Sequence, residues 1–287
     1  MERQGNYAYV QGVESMIDIY YQNSRGQKIS LVDWPVWMQT GDILDWQWDY
    51  TTAGNGIVGF SKKPVEKTIT VTICAASNRE YHDILNALLE MFETDIRALT
   101  PGRFYVNGYY LECYIFGNSK SEWEADATSM DAEFKIVTDK PDWVTENTQQ
   151  FQATSSETLD AKKYTYRFPY RYGGNSGTSY LTNSDFSDSN FTLKIFGPVA
   201  NPQVKINGYP YLVNETLDAG EYIRADSRSR TIVKVSVDGT ETSIFGKRQM
   251  GVKFFRKIPP GMLKVEWTGL FTFEIVLYEE RSEPKWT

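Results

Sequence analysis

The sequence predicts a mainly β protein of two domains, with one α-helix in the first domain and a β-sandwich or jelly roll as the second. Three observations support this prediction. The two halves differ in charge, one long amphipathic pattern stands alone, and short β patterns separated by turn residues fill the rest.

The charge difference places the domain boundary. The 287 residues include 30 Lys or Arg and 37 Asp or Glu, a net charge of −7. Residues 1–150 hold 22 acids and 12 bases, which is −10, whereas residues 151–287 hold 15 acids and 18 bases, which is +3. Each half is long enough to bury its own core. We therefore expect domains at 1–150 and 151–287.

The first domain alternates strand and turn signals. Residues 17–21, 46–50 and 68–74 have β-branched or alternating patterns, and 46–50 would put three large rings on one face. Arg103–Val106 and Tyr109–Ile115 flank Asn107-Gly108, a strong signal for a two-residue hairpin turn.

One helix is predicted at about 78–99. Its apolar positions recur at helical spacing, and Ser77-Asn78-Arg79-Glu80 before it forms a capping box. Thr100-Pro101-Gly102 ends it. His82, the single histidine, falls off the apolar stripe and is interpreted as a surface residue. The predicted stripe is Tyr81, Ile84, Leu85, Leu88, Leu89, Phe92, Ile96 and Leu99.

Beyond the polar stretch 145–158, where we place the boundary, the strand signals are short and evenly spaced. They include residues 163–170, 190–196, 231–237 and 271–278, and no helical stretch interrupts them. Such spacing is typical of a sandwich or jelly roll.

Composition excludes several classes of protein. Hydrophobic residues at 41% and charged residues at 23% describe a globular chain. Neither an apolar run of about 18 residues nor a signal-peptide pattern at Met1-Glu2-Arg3-Gln4-Gly5 is present, so we expect no membrane insertion and synthesis in a cytosol. Cys74 and Cys113 are expected to be buried free thiols.

No motif indicates an enzyme, a cofactor or a metal site. Gly54-Asn55-Gly56-Ile57-Val58-Gly59 matches the dinucleotide-binding spacing, but no helix follows it, so we interpret it as a mobile glycine loop. One histidine and two separated cysteines cannot build a zinc site. A glycosidase needs only two carboxylates, and nothing in the sequence indicates a pair.

Several segments, in this order, resemble one known family. They are Tyr21-Gln22-Asn23-Ser24-Arg25-Gly26 with Ile29 and Leu31, Pro101–Leu111, Phe134–Asp139 with Pro141 and Trp143, Tyr170-Arg171-Tyr172-Gly173, Ile195-Phe196-Gly197-Pro198 with Asn201-Pro202, Asn207-Gly208, Ile258-Pro259-Pro260-Gly261 and Arg281–Trp286. The chain resembles the distal tail (Dit-like) protein family of long, non-contractile-tailed phages, the siphophage tail family.

This resemblance implies a fold and a structural role in the virion, at the tail tip. Six N-terminal domains would form a ring, and a galectin-like β-sandwich would lie outside it. The ring would join the tail tube protein to a tail-associated lysin or baseplate hub protein, near the tape measure protein and, in some relatives, receptor-binding proteins. DNA would pass through the ring without being a ligand. The same sequence features would also fit the equivalent component of a phage-derived, headless tail particle.

The acidic half suggests a lining for that channel. Six N-terminal halves of −10 each carry −60, and like charge would let DNA slide without binding. Two acidic runs are candidates for the lining, and both are equally compatible with solvated outer faces. The candidate residues are Asp42, Asp45, Asp49, Glu122, Glu124 and Asp126.

An alternative function is carbohydrate binding through the second domain. Aromatic residues make up 15% of the chain, and rings of this kind line sugar sites. The rings that motivate this alternative are Tyr164, Tyr166, Tyr170, Tyr172 and Tyr180, although Tyr164 and Tyr166 alternate and fit a packed sandwich equally well.

Overall fold

The computed structural model describes residues 17–120, 124, 126–153 and 177–285. The chain divides into two compact units. Unit 1 is Met1–Thr145 with Glu280–Thr287, and unit 2 is Glu146–Glu279. The last residues therefore group with the first unit, whereas the sequence placed them with the second domain.

Unit 1 is a β structure with one helix. Its antiparallel strands follow one another from β2 through β1, β8, β9, β10, β7 and β4 to β3, while β5 pairs only with β6 among the described strands. The elements are β1 (Ile19–Gln22), β2 (Lys28–Ser30), β3 (Val32–Asp33), β4 (Val36–Gly41), β5 (Asp49–Ala53), β6 (Gly56–Ser61), β7 (Val65–Cys74), α1 (Asn78–Ala98), β8 (Gly102–Val106), β9 (Tyr109–Lys120), β10 (Ser129–Thr138) and the start of β11 (Trp143–Phe151).

The helix begins where the capping box predicts. The Ser77 hydroxyl accepts from the Glu80 amide at 3.2 Å, and the Glu80 carboxylate accepts from the Ala76 amide at 3.0 Å. Leu99, in the left-handed conformation, caps the other end. The helix buries Tyr81, Leu88 and Phe92 as predicted.

Three members of the predicted apolar stripe are not covered. Leu89 is 42% exposed, Ile96 37% and Leu99 83%. Met91 and Asp95 are buried instead. Asp95 can be buried because its carboxylate accepts hydrogen bonds from the Tyr21 hydroxyl at 2.6 Å and the Ser24 amide at 2.7 Å.

Strand β9 connects the two parts of the unit 1 sheet. Tyr109–Cys113 pairs with β8, and Tyr114–Lys120 pairs with β10. The turn from β8 to β9 is Asn107-Gly108, and both residues have positive φ, as a type I′ turn requires. The core lies between these strands and the helix, with Tyr21, Ile73, Tyr81, Phe104 and Trp143 among its buried side chains.

Unit 2 is a β-sandwich, since its two main sheets share one core. One sheet runs β20-β19-β18-β13-β22-β11 and the other runs β12-β21-β15-β16. Leu193 and Ile275 from the first sheet and Val204 and Leu263 from the second join one cluster. The elements are β12 (Gly177–Asn183), β13 (Asn190–Phe196), β14 (Val199–Ala200), β15 (Gln203–Ile206), β16 (Tyr209–Leu212), β17 (Thr216–Leu217), β18 (Tyr222–Asp226), β19 (Thr231–Val235), β20 (Glu241–Ser243), a 3-10 turn (Phe245–Lys247), β21 (Gly261–Trp267) and β22 (Phe273–Arg281).

Three local predictions differ from the structure. Residues 46–48 are not in a strand, since β5 begins only at Asp49. The glycine loop is instead the turn and second strand of a β5–β6 hairpin. The polar stretch after residue 145 continues β11 to Phe151, which is buried. The sequence did not predict this strand as one element, because it has apolar residues only at its two ends. The predicted strand 163–170 lies outside the described residues.

Candidate assembly surface

One hairpin of unit 1 is fully exposed and carries no charge. We call residues 50–61 the exposed hairpin; they comprise β5 after Asp49, the turn and β6. Every residue from Tyr50 to Ser61 is exposed, and these twelve residues include no Asp, Glu, Lys or Arg. Tyr50 is 65% exposed, Val58 63% and Phe60 62%. Solvated strands normally carry charge, so this combination is typical of a surface that another molecule covers.

The register of the exposed hairpin collects its apolar side chains. Tyr50 lies opposite Phe60 and Thr52 opposite Ile57, so these four side chains share one face. Val58 is the extra residue of a bulge between Thr51 and Thr52. The turn follows from Gly54, which has a φ of +59°, as at the first central position of a type II′ turn.

The base of the exposed hairpin is fixed to the rest of unit 1. The Lys62 ammonium lies 2.6 Å from the Asp142 carboxylate and 4.7 Å from the Trp48 ring centroid. The Trp48 indole donates to the Ser282 hydroxyl at 3.3 Å. Because the Lys62 side chain is only 6% exposed, this ion pair is partly shielded from solvent. These contacts hold the start and end of the exposed hairpin and leave its outer part free.

The structure brings Asp42, Asp45 and Asp49 close to three lysines. The Asp42 carboxylate accepts from the Thr68 amide at 2.6 Å, and the Lys67 ammonium donates to the carbonyls of Asp42 and Asp45 at 3.0 and 2.5 Å. Asp49 lies 3.2 Å from the Lys63 ammonium. Lys62, Lys63 and Lys67 line the same cleft of about 600 Å³ as Asp45. Of these three carboxylates, only that of Asp49 has a lysine partner in the described ion pairs, so the charge of this acidic run is balanced only in part.

The second acidic run lies between β9 and β10. Glu124 and Asp126 are exposed, and the Glu124 carbonyl accepts from the Ala127 amide at 3.3 Å. Glu122 lies outside the described residues. The role of all six acids as a channel lining stays a prediction, and the second run is the one without a lysine partner in the described ion pairs.

Two titratable groups in the core of unit 1, Tyr21 and Cys113, have raised pKa values. Burial is the first cause that raises the pKa of Tyr21, followed by the Cys113 thiol and the hydrogen bond to Asp95. Burial also raises the pKa of Cys113. Both groups are therefore neutral near pH 7 and serve packing. Cys74 is half-buried, and both cysteines are free thiols as predicted.

Within the described ranges, no group of three or more His, Cys, Asp or Glu side chains could hold a metal ion. His82 is exposed in the first turn of α1, as expected. In the part of the chain that the structure describes, no helix is long and apolar enough to cross a membrane. Of the tyrosines behind the carbohydrate alternative, Tyr180 is 60% exposed on β12, and the other four lie outside the described residues.

Sequence reasoning missed the exposed hairpin, although a signal for it was present. The segment from Tyr50 to Ser61 is an uncharged stretch of twelve residues between Asp49 and Lys62, and Gly54-Asn55 is a turn pair inside it. The glycine spacing was compared only with nucleotide-binding loops. Ile57 and Val58, which lie between the glycines, were not considered as part of an exposed surface.

Comparison with known proteins identifies the fold. The chain matches no protein-family model and no curated protein in sequence. It does match solved structures. The SPP1 Dit protein, a paradigm of the hub adsorption apparatus in phages infecting Gram-positive hosts, is 10% identical, with a TM-score of 0.55 over 92% of this chain and 98% of that chain.

Two structures of the phage P2 baseplate in its activated conformation also match. In the one solved with Ca, a chain is 11% identical, with a TM-score of 0.60 over 93% of this chain and 99% of the other. In the one solved with Sr, a chain is 12% identical, with a TM-score of 0.61 over 95% of this chain and 100% of the other. At these identities the likeness shows the fold. The mainly β class is confirmed, and the resemblance to distal tail proteins is confirmed at the level of the fold.

Proposed function

We propose that this chain is a structural component of a phage tail tip or baseplate. Six copies would form a ring that joins the tail tube to the host-adhesion apparatus. The observation that carries this proposal is the extent of the fold likeness, which covers 92–95% of this chain and 98–100% of the phage hub and baseplate chains. Both units therefore have counterparts there. The role is structural, and we propose no catalysis and no cofactor.

The exposed hairpin supports an assembly role. A two-stranded hairpin is marginally stable alone in water, and an uncharged apolar face invites association. A ring repeats one head-to-tail contact around its axis, so one donor surface on each copy is sufficient. The other partners in this proposal are the tail tube protein, the tape measure protein, a tail-associated lysin or baseplate hub protein and a receptor-binding protein.

The channel is the second part of the proposal. DNA would cross the ring without binding, because acids around the lumen would repel its phosphates. Asp49 already pairs with Lys63, so we test the second run through its two described acids, Glu124 and Asp126, which are exposed. Neutralising them as Glu124→Gln with Asp126→Asn should increase retention of short duplex DNA by assembled rings at low salt. Unchanged retention would remove this run from the lining.

Electron microscopy of the purified full-length chain tests the ring. We expect particles with sixfold symmetry and a central hole. A chain that stays monomeric at the highest concentrations attainable would contradict the proposal. A glycan array probed with the same full-length protein addresses the carbohydrate alternative, for which the ring proposal expects no specific binding.

A further inference from the structure

We propose that the exposed hairpin of one copy docks into an apolar groove on unit 1 of the next copy. We define this α1 groove by Leu89, Phe92, Ile96, Phe116 and Phe134. The inference rests on the proposed function, because it names the contact that would repeat around the ring. It follows from two exposed apolar surfaces of the same unit that no other described residues cover.

The α1 groove includes two helix residues that the core does not cover. Leu89 and Ile96 belong to the apolar stripe of α1 yet are 42% and 37% exposed. Phe92 and Phe134 lie beneath them, with ring centroids 5.3 Å apart in an edge-to-face arrangement. The groove encloses about 430 Å³. An amphipathic helix normally buries such residues, so this part of the stripe is suited to an outside partner.

A bulge in β9 completes the other wall. Gly117 pairs with Lys135 and Ile115 with Ile136, so Phe116 is the extra residue between them. A bulge changes the direction of a side chain, and the Phe116 ring is 43% exposed while Ile115 is buried. The strand therefore presents one aromatic ring to the groove without disturbing the core beneath.

Gly54 is explained by the turn, but two other glycines of the exposed hairpin, Gly56 and Gly59, have no explanation within the described part of the chain. Gly56 and Gly59 lack the positive φ that favours glycine, and a Cβ on either would meet no atom within 4 Å. Glycine weakens a strand, and inside one it often marks the close approach of another backbone. These positions therefore indicate that a second molecule comes within contact distance of β6.

The two surfaces match in charge. The exposed hairpin has no charged residue between Tyr50 and Ser61. The only charges among the groove-lining residues are Glu93 and Arg97, which are paired with each other at 2.6 Å. Contact between the surfaces would therefore leave no unpaired charge without water. An anionic polymer or membrane headgroup would find no net charge at the groove to bind.

A second copy is the occupant that accounts for both surfaces at once. Each copy carries one exposed hairpin and one α1 groove, so the contact is head-to-tail and every copy can serve as donor and acceptor. Such a contact produces a closed ring when its rotation closes.

Mixing two variants of the full-length chain tests this contact. The hairpin variant carries Ile57→Ser and Phe60→Ser, and the groove variant carries Leu89→Gln and Phe116→Thr. All four side chains are at least 42% exposed, so both variants should fold. We expect each variant alone to self-associate at least tenfold more weakly than the wild type in sedimentation experiments.

An equimolar mixture should form a one-to-one heterodimer, because one intact hairpin meets one intact groove and the remaining pair is defective. Val237→Ser, an exposed apolar change in unit 2, is the matched control and should assemble like the wild type. If the wild type forms rings and each variant alone forms them equally well, the proposed contact is wrong, although the proposal of a ring still stands. A mixture without heterodimer would also overturn the contact. A monomeric wild type would overturn both proposals.

Discussion

Two hairpins of unit 1 differ in what surrounds them. In the hairpin of β8 and β9, Phe104, Val106 and Leu111 are at most 2% exposed, and a Cβ on Gly102 would clash with the Tyr21 hydroxyl oxygen. In the exposed hairpin of β5 and β6, every residue from Tyr50 to Ser61 faces solvent. The first hairpin packs against its own chain, whereas the second has large apolar residues that the described part of the chain leaves exposed.

This difference separates folding from assembly. Residues of the β8–β9 hairpin should control the free energy of unfolding, because their contacts are intramolecular. Residues of the exposed hairpin should control association and have little effect on unfolding. Matched substitutions in the two hairpins can therefore test the comparison directly.

The largest effect is expected for Phe104→Ala. The Phe104 ring is fully buried and packs edge-to-face with Trp143, with ring centroids 6.4 Å apart. Its removal leaves a cavity and should lower the free energy of unfolding by about 3 to 5 kcal/mol, measured by urea unfolding. A loss below about 1 kcal/mol would mean that the β8–β9 hairpin does not control the stability of the fold.

Gly102→Ala should have the next largest effect. The new methyl group would displace the Tyr21 hydroxyl, which would weaken its 2.6 Å hydrogen bond to Asp95. We expect a loss of about 2 to 3 kcal/mol in the same unfolding measurement. Equal stability of the variant and the wild type would show that the Tyr21 ring can move aside freely.

Alkaline pH should destabilise unit 1 through Tyr21. Burial raises the pKa of this phenol above its usual value near 10, so the folded chain keeps a proton that the unfolded chain releases. Stability is fully present below about pH 10 and falls above it, by about 1.4 kcal/mol per pH unit for each such group.

The variant Tyr21→Phe should show a shallower loss between about pH 10 and 11 in urea unfolding series. At pH 7 it should show only the cost of the lost hydrogen bond, about 1 kcal/mol. A slope unchanged from the wild type would assign the alkaline loss to other groups, such as Cys113, whose pKa is also raised by burial.

The smallest effects on unfolding are expected for Phe60→Ala and Gly59→Ala, the counterparts of the first two substitutions. Phe60 is 62% exposed, and a Cβ on Gly59 meets no neighbouring atom. Both variants should keep the wild-type free energy of unfolding within about 0.5 kcal/mol and should associate more weakly in sedimentation experiments. Losses as large as those of Phe104→Ala would erase the distinction between the hairpins.

The same comparison explains what the sequence could predict. The capped helix, the Asn107-Gly108 hairpin and the β-sandwich follow from local patterns that intramolecular contacts satisfy. The exposed hairpin and the α1 groove were missed. Periodicity marks Leu89 and Ile96 as apolar positions, but it cannot tell whether their own chain or a second chain covers them. The strand prediction at Trp46 and Trp48 was wrong for a similar reason, because it rested on the alternation of apolar and polar residues alone.

The candidate acids show a second limit. Asp42 and Asp49 looked free in sequence, but folding brings a backbone amide to one and a lysine to the other. Partners that are distant in sequence decide whether a carboxylate carries uncompensated charge. No pattern within residues 42–49 contains that information.

The most direct test of the proposed ring is to count its copies. Native mass spectrometry of the full-length chain should show one dominant assembly of 6 × 33.0 = 198 kDa. A closed head-to-tail contact predicts this single species rather than a ladder of sizes. A monomer at every concentration, or an open-ended series of oligomers, would contradict the account.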